Sequence, residues 1–543
     1  MQKIPSPGGW GGGEMYLLLL FTVFIQDTVY VYANFPYADE LRFSYPSFSE
    51  KIAFSEDRYW LLNETTSLLF KEYGNLSSVG LRGTRTQDID IQLNGIPLKT
   101  VQNDYADLSL LPTSLGINGI IIKHPLSSYG SINGAAGGIF IKSAHRQNAG
   151  FNINSCGILE PYISSHLWKV QLFSSFSGKN SKQDGFKKFF LLLDNDNASF
   201  ILALRHAKVQ GPMGTDINGD KKEFFSGYSF SLFRGKHIYS FIKGNLSQLI
   251  YKTGREVDIH RSFYNYADVG LGIFRFSVSS EYISSTKSSK RIRNTLSLIG
   301  SKKLYYKDLL LVLNGSVFYP QEFNNAYSSY FLGASYKVKG SVFYINYTKG
   351  VHLPSFFDLY WPEDAFAKGN PNLLPEYIRQ YEAGFKYISE NSIIHLSYFD
   401  KSIKNMIQWL IVSQKYTPYN TGIRHVKGIE FKITHQGIVK AGFSGTLSFF
   451  DHILYYPHVM EGFYLSYNNL KIGVSFTGRR EKRPHSIKML PCMELFNVNY
   501  KREIGHFVVE MGVHNLLDEY IEWIAGYPQT GRVFYTNIKL EWR

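Results

Sequence analysis

The chain has 543 residues, too many for one ordinary core and enough for two domains or one large barrel. Aromatic residues make up 16%, with 39 Tyr and 41 Phe. That excess suits two interfacial girdles on a membrane β-barrel, an aromatic-rich soluble β-sandwich or carbohydrate binder being the other class that would carry it. The formal net charge is +14, but there is no dense Lys/Arg run and no nucleic-acid motif, so the basic balance points to phosphate-bearing lipid or anionic ligands. Cys156 and Cys492 lie too far apart for a CxxC redox or zinc arrangement and read as two unpaired thiols.

In chain order, the one strongly apolar run is Met15 to Ile25, which fits the h-region of a secretory signal within 1–33, with Val31-Tyr32-Ala33 as an approximate cleavage site. No other stretch of about 20 apolar residues occurs, so no helical membrane span is expected. Residues 34–60 read as an extended, polar-aromatic lead. Leu61 to Tyr73 repeats Leu62, Thr66, Leu69 and Tyr73 on one helical face and predicts a helix. Leu81-Arg82-Gly83 is read as opening a short strand. Ile89, Ile91 and Leu93 then alternate with Asp90, Gln92 and Asn94 as in a half-buried strand, and Asn94-Gly95 signals a tight turn. Asp107 to Pro112 reads as a loop leading into a helix, Ile120 to Lys123 as a buried strand, and Gly134 to Gly138 as a flexible corner.

From about Gly150 the character changes to short alternating runs separated by turn residues. In the last, Phe534, Thr536, Ile538, Leu540 and Trp542 share one side, and Tyr535, Asn537, Lys539, Glu541 and Arg543 the other. Phe343, Ile345 and Tyr347 alternate likewise with Tyr344, Asn346 and Thr348. One apolar face beside a polar one is what a lipid-out, lumen-in strand requires. Closing the sheet spares it an edge with stranded backbone donors and acceptors in hydrocarbon.

The order Arg82-Gly83, Asn94-Gly95, the Ile-rich strand, Tyr129-Gly130 and Gly137-Gly138 resembles the plug domain of TonB-dependent outer-membrane receptors. Three later blocks resemble the same family's barrel: Tyr347 to Phe356 with Gly369-Asn370-Pro371-Asn372-Leu373-Leu374-Pro375-Glu376, then Val426 to Glu430, then Asn515 to Asp518 with Gly531-Arg532. The resemblance implies an all-β transmembrane antiparallel barrel of 22 strands over 150–543, with an α/β plug over 61–146 in its lumen. It implies a location in the bacterial outer membrane, and transport of a metal chelate such as cobalamin or a ferric siderophore by a monomer coupled to TonB. No catalytic constellation and no required cofactor is expected. No segment of the lead matches the family's TonB-pairing box, Glu40 to Ser44 being a guess from position, which keeps open a passive or surface-binding barrel without TonB coupling.

The resemblance also supplies residue roles. Arg82 and Lys123 match two basic plug positions, and Glu382 and Glu430 two barrel carboxylates that would lock the plug, although they could equally be ordinary lumen charges. Thr86, Gln87 and Asp88, with Gln102, Asn103, Asp104 and Tyr105, are the polar plug segments placed to face outward, either as ligand contacts or as solvated loops. Asp216, Asn218 and Asp220 offer oxygen ligands at alternate positions and resemble in place and content a calcium-binding extracellular loop, a plain Asn-Gly turn being the alternative. His352 and His425 read as loop or lumen residues.

Overall fold

The computed structural model describes residues 49–52, 65–66, 68–73, 76–112, 115, 117–123, 135–143, 147–165, 170–177, 186–195, 197–210, 216–234, 238–253, 256–287, 290–364, 367–482 and 489–542. The signal segment and the Glu40 to Ser44 guess lie outside them.

Among the described residues, twenty-two antiparallel strands, from Asn148–Asn154 to Val533–Glu541, form one sheet, and these first and last strands pair to close it into a barrel. Alternation works as the sequence implies. On the strand Ser341–His352, Phe343 and Ile345 are exposed to the lipid side while Tyr344 and Asn346 are buried against the interior. On Val533–Glu541, Phe534 and Leu540 point out and Lys539 in. Among the described residues no helix is long and apolar enough to cross a membrane; the crossing is made by strands.

The longest connections gather at one end. At the end where the barrel's first strand begins and its last strand stops, neighbours are joined by tight turns such as Gly272-Ile273, Lys307-Asp308, Lys339-Gly340 and Gly505-His506, several with positive φ. At the other end run the long segments 353–375, 405–422, 451–458, 478–492 and 515–532. In barrels of this kind short turns face the periplasm and long loops the exterior.

Inside lies a five-stranded mixed sheet, in the order Ser49–Ile52, Ile117–Lys123, Gly137–Ser143, Ile89–Leu93, Ile96–Pro97. Its hairpin turns at Asn94-Gly95, where φ is 50° and 81°, the left-handed pair that the Asn-Gly signal requires. Val79, Leu81, Ile89, Ile91, Leu93 and Ile96 of this body share one apolar core with wall residues that include Phe190, Ile201, Phe225, Phe399 and Val426. Asn245 of the wall donates from Nδ2 to Pro97 O and Lys99 O, both at 2.9 Å. The N-terminal body therefore fills the lumen.

Three local expectations are corrected. The helix over Leu61–Tyr73 is absent from its described part: Leu68–Tyr73 is a strand paired with Leu76–Leu81. Leu69 and Tyr73 also fit a period of two, and Gly74-Asn75 between the runs is a hairpin-turn dipeptide, so pairing wins over a weak helical stripe. Leu81 ends a strand and does not open one; Arg82 (φ 46°) and Gly83 (φ 73°) turn the chain. The lead also contributes Ser49–Ile52 to the inner sheet.

Candidate functional site: the ion pairs between plug and barrel

The Leu76–Leu81 strand delivers its chain to the Arg82-Gly83 turn, and a Cβ on Gly83 would lie 3.2 Å from Ile453 Cδ1. Glycine thus suits both the left-handed backbone and the close wall. The turn aims Arg82 at the barrel. Its Nε and Nη2 donate to Glu430 Oε1 and Oε2 at 3.0 and 2.5 Å, and its Nη1 to Glu382 Oε2 at 2.9 Å. Sheet register explains the spacing. Glu382 stands opposite Phe399 and Glu430 opposite Ser397, so the two carboxylates flank the strand Ser392–Lys404 from either side. The Phe399 ring lies 4.4 Å from the guanidinium carbon. Tyr344 Oη donates to Glu382 Oε1 at 3.0 Å, and Lys401 Nζ donates to Arg82 O. All are buried. Burial alone would pull the Arg82 proton affinity down, but Glu430 and Glu382 outweigh it and raise it above the ordinary value. Such a pair is costly to break, because removing one partner strands a buried charge.

A second group sits towards the loop end. Arg85 Nη2 donates to Glu376 Oε2, and its backbone N–H to Asp88 Oδ2 at 3.0 Å. His352, the last residue of its strand, has Nδ1 3.0 Å from Glu376 Oε2 and Nε2 3.4 Å from Asp104 Oδ2. Burial, then the nearby Glu376, raise the Asp88 carboxyl above its usual range. Among the described residues, Asp88, His352 and Glu376 form a group whose donor atoms lie within 4.8 Å of one another, near enough for a metal ion. The Arg85 guanidinium already supplies a cation there.

A third contact lies on another side. Arg205 Nη2 donates to Asp107 Oδ2 at 2.5 Å and also pairs with Glu223, while Lys188 Nζ donates to Leu111 O at 3.0 Å. Asp107 caps the short helical turn Leu108–Leu110, accepting from Ser109 N at 3.0 Å.

Over the plug's outer apex folds the loop 353–375. Its helix, Phe356–Tyr360, starts in a capping box between Ser355 and Asp358. Phe357 N donates to Gln102 O at 2.7 Å, and the Phe357 ring packs 4.5 Å from Trp361 and 5.0 Å from Trp409.

The residues singled out by sequence divide accordingly. Arg82, Glu382 and Glu430 come together. Lys123 pairs by its backbone with Ser49 and Gly138, and its side chain lies outside the described residues; the other cations found at the interface include Arg85, Lys142, Lys188, Lys401 and Arg205. The outward orientation of Thr86 and Asp88 is corrected. Thr86 Oγ1 donates to Val79 O at 2.8 Å and Asp88 accepts from Arg85, so local turn bonds draw both inside. Asp104 and Tyr105 are buried as well, while Gln87, Gln102 and Asn103 keep partial exposure. Asp216, Asn218 and Asp220 do not lie in a loop. Beyond a register shift between Lys208 and Gln210 they belong to the long strand Asp216–Arg234, with the Asp220 carboxylate 3.6 Å from His206 Nε2. Sequence reading missed Arg85, Lys401 and Arg205, and left Glu376 and His352 without a role. A second arginine three residues after Arg82, and a glutamate closing the Gly-Asn-Pro turn, were the available signals.

A family profile described as "TonB dependent receptor-like, beta-barrel" matches residues 146–478. The chain belongs to the TonB-dependent receptor family. Its barrel is therefore of the bacterial outer membrane. A vitamin B12 transporter of Vibrio vulnificus (strain YJ016) is 34% identical over 85 residues, an alignment spanning 15% of this chain and 13% of that transporter's length. Solved structures of similar fold include the siderophore receptor PirA from Acinetobacter baumannii, with a TM-score of 0.69 at 13% identity over 91% of this chain and 98% of that one. They also include a variant of the ferric enterobactin receptor PfeA from Pseudomonas aeruginosa in complex with enterobactin, with a TM-score of 0.72 at 12% identity over 92% and 100%. At such identities these structures establish the fold of the receptor and not its ligand.

Proposed function

We propose that this receptor imports a scarce metal chelate, cobalamin or a ferric siderophore, across the outer membrane, with TonB pulling on the plug. The observation that carries the reading is a lumen filled by a body held to the wall through discrete buried ion pairs, Arg82 with Glu382 and Glu430 foremost. A passive channel has no use for a plug that occupies its lumen. An importer needs a seal that holds at rest and is undone by force, and charged hydrogen bonds suit this because water can replace them once the geometry is broken. The protein acts as a monomer and we assign it no catalytic step. Vitamin B12, siderophore and ferric enterobactin are named for its relatives, which sets the panel to be screened.

The test is uptake by whole cells of the ligand that the purified receptor selects from cobalamin and a set of ferric chelates. Uptake should collapse when the proton gradient is dissipated. Unchanged uptake would favour passive passage or surface capture without TonB.

A further inference from the structure

One imidazole gathers carboxylates from both bodies of the molecule. His352 closes the strand Ser341–His352 at the loop end and is fully buried. Its Nδ1 lies 3.0 Å from Glu376 Oε2 on the barrel and 3.3 Å from Asp88 Oδ1 on the plug. Its Nε2 lies 3.4 Å from Asp104 Oδ2, also on the plug. Both ring nitrogens thus face carboxylate oxygens, and a neutral imidazole has one N–H to give. Arg85 Nη2, 3.3 Å from Nδ1, could donate to a neutral ring, but Glu376 Oε2 is nearer to Nδ1 and takes that same guanidinium nitrogen. The charges decide between the two forms. Without a charged ring, Asp88 and Glu376 would share Arg85 as their nearby cation, and Asp104 would be left to Lys99 and Arg293. Asp88 Oδ1, buried and without a hydrogen bond, points at the ring. Further out, Lys99 and Arg293 act on Asp104 and Asp358 acts on Arg85, while Arg293 is itself engaged by Glu281 and Glu322.

We propose that His352, as an imidazolium, is a proton-dependent clasp that fixes the plug's outer apex to the barrel wall. It is a positioning residue, acting through Asp104 on the turn that presents Gln102 and Asn103. Asp104 holds a left-handed φ of 54° at the end of that turn. Two residues earlier, Gln102 is bonded to Phe357 N and lies 3.0 Å from His260 Nδ1. Whatever displaces Gln102 or Asn103 therefore pulls on Asp104 and on the ring. Although burial pushes the Asp104 carboxyl up, Lys99 and His352 outweigh it and hold it below the usual carboxylate range, which keeps the anion ready for the clasp. The clasp is closed while the ring holds both protons and opens as rising pH removes one, leaving Asp88, Asp104 and Glu376 facing a neutral ring. The inference rests on the plug-and-barrel reading of function and adds to it how the apex is held before a ligand arrives.

The test uses the full-length receptor in detergent and needs no transport, so its failure would leave the import reading standing, and loss of import would leave the clasp standing. Backbone amide exchange of residues 99–106, corrected for intrinsic rates, should be slow at about pH 6 and roughly tenfold or more faster at about pH 10. His352→Gln should exchange fast at both pH values and His352→Arg slowly at both. Equal exchange and an equal pH profile in the wild type and His352→Gln would overturn the proposal. Should the arginine variant not fold, nitrogen-15 NMR of histidine-labelled wild type gives the same decision. One ring, absent from the His352→Gln spectrum, must be doubly protonated at about pH 7; a neutral ring there would overturn the clasp.

Discussion

Arg82 shows why the seal depends on a few atoms. Its guanidinium is held by two carboxylates on two strands through three of their oxygens, yet it touches almost no water. Glu430→Ala leaves Glu382 as the remaining carboxylate, and the plug should lose about 3–5 kcal/mol of docking stability, the cost of stranding half of a buried pair. Proteolysis of the plug should quicken and uptake fall, while barrel insertion, read from heat-modifiable migration in gels, stays normal; normal uptake by this variant would remove the lock from the account. Asp107 carries a pH effect of known sign. Burial pushes its carboxyl up, but Arg205 and Lys221 outweigh burial and hold it below the ordinary range. Its contribution is therefore complete above the unfolded-state value of about 4 and is lost as pH falls through the lower folded value. Asp107→Asn should abolish that part of the acid transition, measured as plug release against pH. Arg82, Glu382 and Glu430 were legible through their motifs. Arg85 and Glu376 were not assigned, because they meet 291 residues apart and no local pattern announces such a partnership.

The turns and strands of the plug were only partly readable, and the reason is local ambiguity. Asn94-Gly95 has one low-cost geometry and adopts it. Leu68 to Tyr73 satisfies both a helical stripe and a strand, and the partner strand Leu76–Leu81, invisible to a single-segment reading, decides for the hairpin. Arg82-Gly83 follows a strand with no residue that marks its end in the sequence, yet its left-handed backbone is what points the arginine at the wall. Gly83→Ala meets both objections at once, a φ of 73° and Ile453 at 3.2 Å. It should cost about 1–2 kcal/mol from the backbone alone and more if Ile453 cannot yield. Thermal unfolding of the purified variant should show the plug transition lowered and the barrel transition unmoved; a shift of the barrel instead would place the strain elsewhere.

The barrel as a whole was the most legible part. Lipid outside and a polar interior impose alternation on every strand, so Phe343, Ile345, Phe534 and Leu540 declare their side by position alone. Long loops carry no such rule. That 353–375 and 451–458 turn inward onto the plug emerges only in three dimensions, from Phe357 against Gln102 and Ile453 against Gly83. On the proposed function, a plug lodged in the lumen must move for transport. Thr66 of the plug and Thr446 of the wall are both buried with their hydroxyl oxygens 3.0 Å apart. The most direct measurement is uptake by a receptor with Thr66→Cys and Thr446→Cys, Cys156 and Cys492 having been replaced by serine. The account predicts that the disulfide forms, that uptake stops while it is intact, and that a reductant restores it. Undiminished uptake through a fully bridged receptor would contradict it.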